Sequence, residues 1–556
     1  MKKTRRFASL ATAAILAACA VVPATMSALP VSAAGSGSIT ITDKSGATTS
    51  SLAAFQIFTA EVKGDSVVIT GWGDGIDVTK LAPAIASSKL KDDFTGVTIE
   101  ASKASAQKVA DVVSTFKGDD AAKAEAFAKI AANCIKSSNG TAASSDTITG
   151  LDTGYYIIVD TKAASNGSYD AYTLGMLSVV TGENTAVTVK RDFPTFDKKI
   201  GDINDTTEDA YTYDEAADHD MGDNVPFKLI ATVPSNVGKY DTYKMIFHDD
   251  IQKDVFTLNG DAKVYYYASN GTDVADRVDV TASFAYKTST TEDKDKFKEH
   301  TDGTEDFTLT CDDIKAISGI TVADGGRFEV EYTATLTDKA KMGATGNWNG
   351  AYLEYSNNPN VSGGGDTNNT GKSPTDYVVA FTYQAVVDKL DGVTNAPLAG
   401  ATFKLEKKLK DGSKKEIAVV KTDAETRFVF NGLDDGDYVL TETAPDGYNA
   451  VDPIEFTISA TEVQTDGSEA LKAMSATAGN GATFSTGKTY VIDAGKADNT
   501  NGAENGSVKT DVINFKGSSL PSTGGIGTTI FYVAGGVLVV GAGVLLITKK
   551  RAKDAQ

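Results

Sequence analysis

Two lysines lie inside apolar, strand-like stretches. Lys198 sits in Phe196-Asp197-Lys198-Lys199-Ile200, and Lys389 sits in Val387-Asp388-Lys389-Leu390. Side chains alternate across a strand, so Lys198 shares a face with Phe196 and Ile200, and Lys389 shares one with Val387. Asparagines keep the same phase elsewhere: Asn357 with Leu353 and Tyr355, and Asn514 with Val512. Acids do so too: Asp249 with Tyr243, Met245 and Phe247, and Glu442 with Tyr438 and Leu440. Lys199, Asn358 and Asp250 stand one place further along as adjacent substitutes; phase favours Lys198, Asn357 and Asp249.

If those faces are core, the chemistry follows. Desolvation lowers a lysine pKa and raises a carboxyl pKa, so both groups can be neutral at pH 7. A neutral amine is a nucleophile. A protonated carboxyl can hydrogen-bond an asparagine carbonyl, make its carbon more electrophilic, and move protons as ammonia leaves. The product is a Lys–Asn isopeptide bond, formed once and without a cofactor. The competing reading is a solvated charge on a half-exposed sheet, which shows the same alternation.

The elements that would hold these residues read as mainly β. Residues 35–190 form an α+β unit, with strands at 38–42, 53–58, 154–159 and 185–190 and helices over 105–116 and 120–135. Arg191-Asp192-Phe193-Pro194 is a joint. A β-rich unit over 191–376 has strands at 225–232, 243–247, 264–267, 328–336 and 351–355. A third unit, 377–517, has strands at 397–405, 427–430 and 438–442 separated by Asp/Gly turns. That spacing predicts an immunoglobulin-like sandwich.

Composition narrows the function. The formal charge of -21 argues against nucleic acid or anionic lipid as partners. The only cysteines beyond residue 19 are Cys134 and Cys311, too far apart in sequence to suggest a disulfide framework, and Cys134 reads as a small buried hydrophobe. His219, His248 and His300 lack metal-ligand spacing, and there is no Gly-x-Ser-x-Gly elbow, so no metal, no cofactor and no hydrolase are expected.

Both ends carry targeting signals. Lys2, Lys3, Arg5 and Arg6 precede an apolar run from Phe7 to Val22, and Val31-Ser32-Ala33-Ala34 offers a cleavage site, so 1–34 reads as a secretory signal peptide. Leu16-Ala17-Ala18-Cys19 is a competing lipobox. At the other end, Leu520-Pro521-Ser522-Thr523-Gly524 is followed by an uncharged apolar run over 526–548, long enough for a transmembrane helix, and a basic tail over 549–556. This composite, 518–556, resembles the cell-wall sorting signal of Gram-positive surface proteins. The resemblance implies sortase cleavage between Thr523 and Gly524, with the Thr523 carbonyl passed to an amine.

The stretch Tyr438-Val439-Leu440-Thr441-Glu442-Thr443-Ala444-Pro445-Asp446-Gly447-Tyr448 looks like the E-box of Gram-positive pilins. With 397–403 and Val512-Ile513-Asn514 it resembles a collagen-adhesin B-type domain, which implies a Lys389–Asn514 bond assisted by Glu442. Residues 224–229, 243–250 and 352–359 resemble the middle domain of major pilins, which implies Lys198–Asn357 with Asp249. In that family a lysine closing the first domain attacks the sortase-bound threonine of the next subunit. Lys190 occupies that place, without the usual Tyr-Pro-Lys motif. The implied protein is a sortase-assembled backbone pilin, not a turnover enzyme. Its expected partners are other copies of itself, pilus-specific and housekeeping sortases, peptidoglycan, a tip adhesin and host surface ligands. A monomeric wall-anchored adhesin for host matrix or glycan is the alternative.

Overall fold

The computed structural model describes residues 37–517, except 49, 64–65, 117–119, 168, 261, 270, 272–273, 290–303, 362–368, 422–423, 480–481 and 487–505. The expected signal peptide, sorting pentapeptide, membrane helix and basic tail lie outside the described residues. Among the described residues no helix is long and apolar enough to cross a membrane.

Among the described residues the first unit holds two larger sheets and a two-stranded ribbon, Ala164–Asn166 with Tyr169–Ala171. In the smaller, Gly37–Thr42 runs between Thr147–Leu151, antiparallel, and Asn184–Thr188, parallel. In the larger, the order is Ser66–Trp72, Leu52–Lys63, Gly154–Asp160, Met176–Val180, with Thr141–Ala142 added to Leu52–Lys63. Helices Lys103–Val113 and Ala121–Ala132 stand close to where the Ala-rich runs predict them. A further helix, Val78–Ala86, lies outside both predicted helical stretches and has Pro83 inside it. Asp77 caps it by accepting from the Thr79 N–H, and Leu81 and Ile85, four apart, bury one face. That face joins Phe55, Ile57, Phe127 and Ile157 in one core.

The second unit is a sandwich of two seven-stranded sheets. One sheet runs Thr212–Asp214, Phe196–Asp202, Asn224–Thr232, Arg327–Leu336, Lys263–Tyr267, Arg277–Asp279, with Phe256–Leu258 also on Arg327–Leu336. The other runs Ala216–Asp218, Asp376–Phe381, Asn347–Ser356, Met245–Gln252, Thr304–Cys311, Ala285–Ser289, with Thr370–Lys372 also on Asn347–Ser356. Alternate residues of both sheets fill the space between them: Phe227, Val330 and Ala334 from one, Phe247, Phe307 and Leu353 from the other.

Two boundaries differ from the sequence reading. Asn347–Ser356 begins four residues before Ala351, which carries Asn349 into the core face. Asp376–Phe381 pairs with second-unit strands, so the chain changes sheets near Thr382 rather than at 376/377.

The third unit packs the sheet Arg427–Leu433, Tyr383–Asp391, Ser507–Asn514, Phe484–Thr486 on the sheet Lys414–Lys421, Thr402–Lys408, Gly436–Thr443, Ile454–Val463, Ala470–Ala478. Its first and last strands, Tyr383–Asp391 and Ser507–Asn514, are parallel neighbours. Lys389 stands opposite Val512, and Asp391 opposite Asn514.

Buried charges mark both joints. The Arg191 guanidinium, fully buried, bonds Asp160 (2.7 Å) and Asp43. Lys407 of the third unit is enclosed by Asp434 of its own unit and by Asp205 and Asp220 of the second. Cys134 and Cys311 are free and buried in different units, and burial pushes both thiols up, Cys134 to about 11.

Two candidate lysine–amide sites

In the second unit Lys198 is fully buried. Strand Phe196–Asp202 presents it inward between Phe196 and Ile200, as alternation requires. Its Nζ lies 2.5 Å from Asp249 Oδ2 and 2.9 Å from the Tyr332 hydroxyl. The Phe227 and Tyr332 rings, stacked 5.2 Å apart, flank the amine at 5.4 Å each. Asp249 reaches in from the opposite sheet. Its Oδ2 also accepts the Tyr332 O–H at 2.7 Å. Burial lowers the Lys198 pKa and raises that of Asp249, so the dry site favours a neutral amine beside a protonated carboxyl.

The amide at this site is Asn349, not Asn357. Asn349 is 1% exposed and donates from Nδ2 to the Tyr332 hydroxyl at 2.8 Å. Its Oδ1 and Asp249 Oδ1 have no hydrogen-bond partner among the described residues. Asn357 lies past the strand end and donates to Asp170 Oδ2 of the first unit at 3.1 Å, while its carbonyl accepts the Tyr172 N–H. It ties the first unit to the second. The strand phase was right and the strand end was wrong: Asn349 has the parity of Leu353 and Tyr355. Extending the strand back through Trp348 and Gly350 would have found it. Asn and Gly are poor strand formers, so propensity alone gives little sign that the strand extends back over Asn347–Gly350. Tyr332 gave no signal beyond an inward phase shared with Val330 and Ala334.

The adjacent substitutes fall elsewhere. Lys199 faces outward to Asp197 and Glu215. Asp250 pairs across from Gly350 on the other face of its strand, and Asn358 accepts from Asn360.

In the third unit the predicted trio converges. Lys389 and Asn514, 0% and 1% exposed, come from the paired first and last strands, and Glu442 from the facing sheet. Glu442 Oε2 accepts from Asn514 Nδ2 at 2.8 Å and from the Val451 N–H at 3.0 Å. Lys389 Nζ donates to the Val512 carbonyl at 2.9 Å and stands 3.7 Å from Glu442 Oε1. Burial lowers the Lys389 pKa. Glu442 Oε1 and Asn514 Oδ1 lack a hydrogen-bond partner among the described residues. Each arrangement thus brings an amine, an acid and a carboxamide together out of water, which is the set an amide exchange needs.

A third buried lysine shows the contrast. Burial opposes the charge on Lys407, but the Asp434 and Asp220 carboxylates outweigh it and its pKa rises. It is an ion-pair latch between units. The acids around it, Asp205, Asp220, Asp223 and Asp434, are close enough together to hold a metal ion, but Lys407 and Lys415 already supply positive charge there. Likewise Asp197, Glu215 and Asp376 form a group that Lys199 enters.

Lys190 follows the strand Asn184–Thr188 at the first joint. Its backbone N–H donates to Thr173 Oγ1, its carbonyl accepts from Asn236 Nδ2, and its Nζ lies 3.5 Å from Glu125 with the side chain 31% exposed. Leu520, Pro521, Ser522, Thr523 and Gly524 lie outside the described residues.

Comparison with known proteins agrees with this architecture. Residues 384–469 match a family described as the SpaA prealbumin-like fold domain, and residues 516–554 match the LPXTG cell wall anchor motif. The trypsin-resistant surface T6 protein of Streptococcus pyogenes is 30% identical over 262 residues, 40% of this chain and 48% of the relative. The chain thus matches about half the length of that curated relative. The solved structure of the T6 backbone pilin of serotype M6 Streptococcus pyogenes, described as a modular three-domain structure, superposes with a TM-score of 0.52 at 17% identity. The superposition covers 86% of this chain and 98% of that one. The chain therefore carries a prealbumin-like SpaA domain followed by an LPXTG wall-anchor motif, on a fold shared with a three-domain backbone pilin.

Proposed function

We propose that this chain is the backbone subunit of a sortase-assembled pilus on a Gram-positive cell wall. The observation that carries the reading is the pair of dry lysine–acid–amide clusters, Lys198/Asp249/Asn349 and Lys389/Glu442/Asn514, in a chain that ends in an LPXTG anchor motif. Each cluster forms one intramolecular isopeptide bond: Lys198 to Asn349, and Lys389 to Asn514. The first bond joins the two sheets of its sandwich, and the second joins the first and last strands of its unit, so neither unit can unzip under tension. Between subunits, a sortase cleaves after Thr523 and passes its carbonyl to Lys190 of the next copy. The last copy is joined to peptidoglycan through the same threonine. The protein acts as a structural subunit and a sortase substrate. Its chemistry on itself happens once per bond, without turnover.

The polymer is tested in cells expressing the chain with its sortase. Wild type gives a high-mass ladder on a denaturing gel, and Lys190→Ala collapses it to the single subunit. A ladder that survives in Lys190→Ala moves the acceptor elsewhere. Single subunits alone from wild type overturn the polymer reading in favour of a monomeric wall-anchored adhesin.

A further inference from the structure

The two clusters differ in one respect. In the third unit the acid touches the amide directly, Glu442 to Asn514. In the second unit a phenol stands between them: the Tyr332 oxygen lies 2.9 Å from Lys198 Nζ, 2.7 Å from Asp249 Oδ2 and 2.8 Å from Asn349 Nδ2. One atom touches the attacking nitrogen, the acid and the departing nitrogen. The described hydrogen bonds of Asn349 Nδ2 include none to Asp249, and the Tyr332 hydroxyl is bonded to both, so it offers the direct link between the acid and the leaving group.

We infer that Tyr332 is a catalytic residue of the second unit's isopeptide bond, relaying a proton from Asp249 to the nitrogen that leaves Asn349. This deepens, and rests on, the reading that Lys198 and Asn349 become linked. Neutral Lys198 Nζ attacks Asn349 Cγ, and the Nζ–Cγ bond forms. The Cγ–Nδ2 bond breaks, Nδ2 takes the Tyr332 hydroxyl proton, and ammonia departs. Tyr332 recovers a proton from Asp249, and Asp249 recovers the one lost by Lys198 Nζ. Acid and phenol end as they began, and no outside reactant is consumed.

The ring is held for this task. It stacks on Phe227 and meets Phe307 edge-on at 5.0 Å, while the neighbouring strand residues Val330 and Ala334 are fully buried. Removing the hydroxyl alone therefore leaves these ring contacts in place. A buried tyrosine needs a partner for its O–H, but one partner is enough. Three partners, two of them the reacting nitrogens, are more than packing requires.

The test is cell-free synthesis of the full chain, sampled over time for intact mass and for cross-linked tryptic peptides. Each bond removes ammonia, about 17 Da. In Tyr332→Phe the Lys198–Asn349 bond should form about 100-fold more slowly or not at all. The Lys389–Asn514 bond, an internal control, should form at the wild-type rate. Wild-type kinetics at Lys198 in Tyr332→Phe would overturn the role of Tyr332 and leave the bond itself standing. A wild-type chain with no Lys198–Asn349 peptide would overturn the underlying reading, and this inference with it. If Tyr332→Phe loses both bonds, a fluorinated tyrosine placed at 332 decides. It keeps the ring and hydroxyl but acidifies the phenol. A displaced pH–rate profile for the Lys198 bond supports the relay, and a profile superimposed on wild type refutes it.

Discussion

Glu442→Gln isolates the chemistry of the third unit from its packing. Glutamine has nearly the shape of the protonated acid and can still accept from Asn514 Nδ2, but it cannot exchange a proton with Lys389 or the leaving ammonia. The variant should fold with Lys389 and Asn514 unlinked. After correction for the substitution, its mass should exceed wild type by about 17 Da. The stability cost follows from the loop that the bond closes. Lys389 to Asn514 encloses about 126 residues, and the loop-closure entropy removed from the unfolded chain is worth about 5 kcal/mol at 25 °C. For a unit of this size that corresponds to a fall in Tm of roughly 10–20 °C. Calorimetry with intact-mass spectrometry reads both quantities on one sample. A Glu442→Gln protein with the wild-type mass would refute the argument, because the bond would then need no acid. So would a wild-type protein that trypsin cleaves after Lys389.

The second unit offers a paired test of the asparagine assignment. Asn349→Ala should restore about 17 Da to the mass. Asn357→Ala should leave the mass deficit unchanged and only weaken the contact with Asp170, at a cost of about 1 kcal/mol. The joint between the second and third units should respond to pH. Burial, followed by the Asp435 and Glu462 carboxylates, pushes Asp202 up to about 7, and its neighbour Asp218 is also raised, chiefly by burial. An acid whose folded pKa is raised binds its proton more tightly in the folded state. That contribution is therefore present at about pH 4 and lost as pH rises through 7. Asp202→Asn should raise Tm at pH 8 by roughly 3 °C, on the order of 1 kcal/mol, and leave it unchanged at pH 4. A uniform gain at both pH values would count against the carboxylate cluster.

Much of the chemistry was legible from strand phase. Period-2 alternation put Lys198, Lys389, Asp249, Glu442 and Asn514 on inward faces, and all five are buried. A side chain's face depends on its immediate neighbours, so a short window of sequence suffices. The composite of pentapeptide, apolar run and basic tail was equally local, as was the scarcity of cysteine.

Strand ends and cross-sheet partners were not local. Asn349 lies before the expected strand at 351–355, where Asn and Gly weaken strand propensity, yet pairing with Met245–Gln252 on one side and Asp376–Phe381 on the other holds that run in a central strand. Tyr332 lies 134 residues from Lys198 in the chain and reads as one more core aromatic until the sandwich closes. The Lys407 latch likewise needs acids from two units. The sequence by itself determined which of these side chains turn inward and that the chain carries a wall-anchor motif. Only the tertiary structure decided which amide meets which amine, because that choice depends on register across facing sheets, where residues far apart in the chain come within hydrogen-bonding distance.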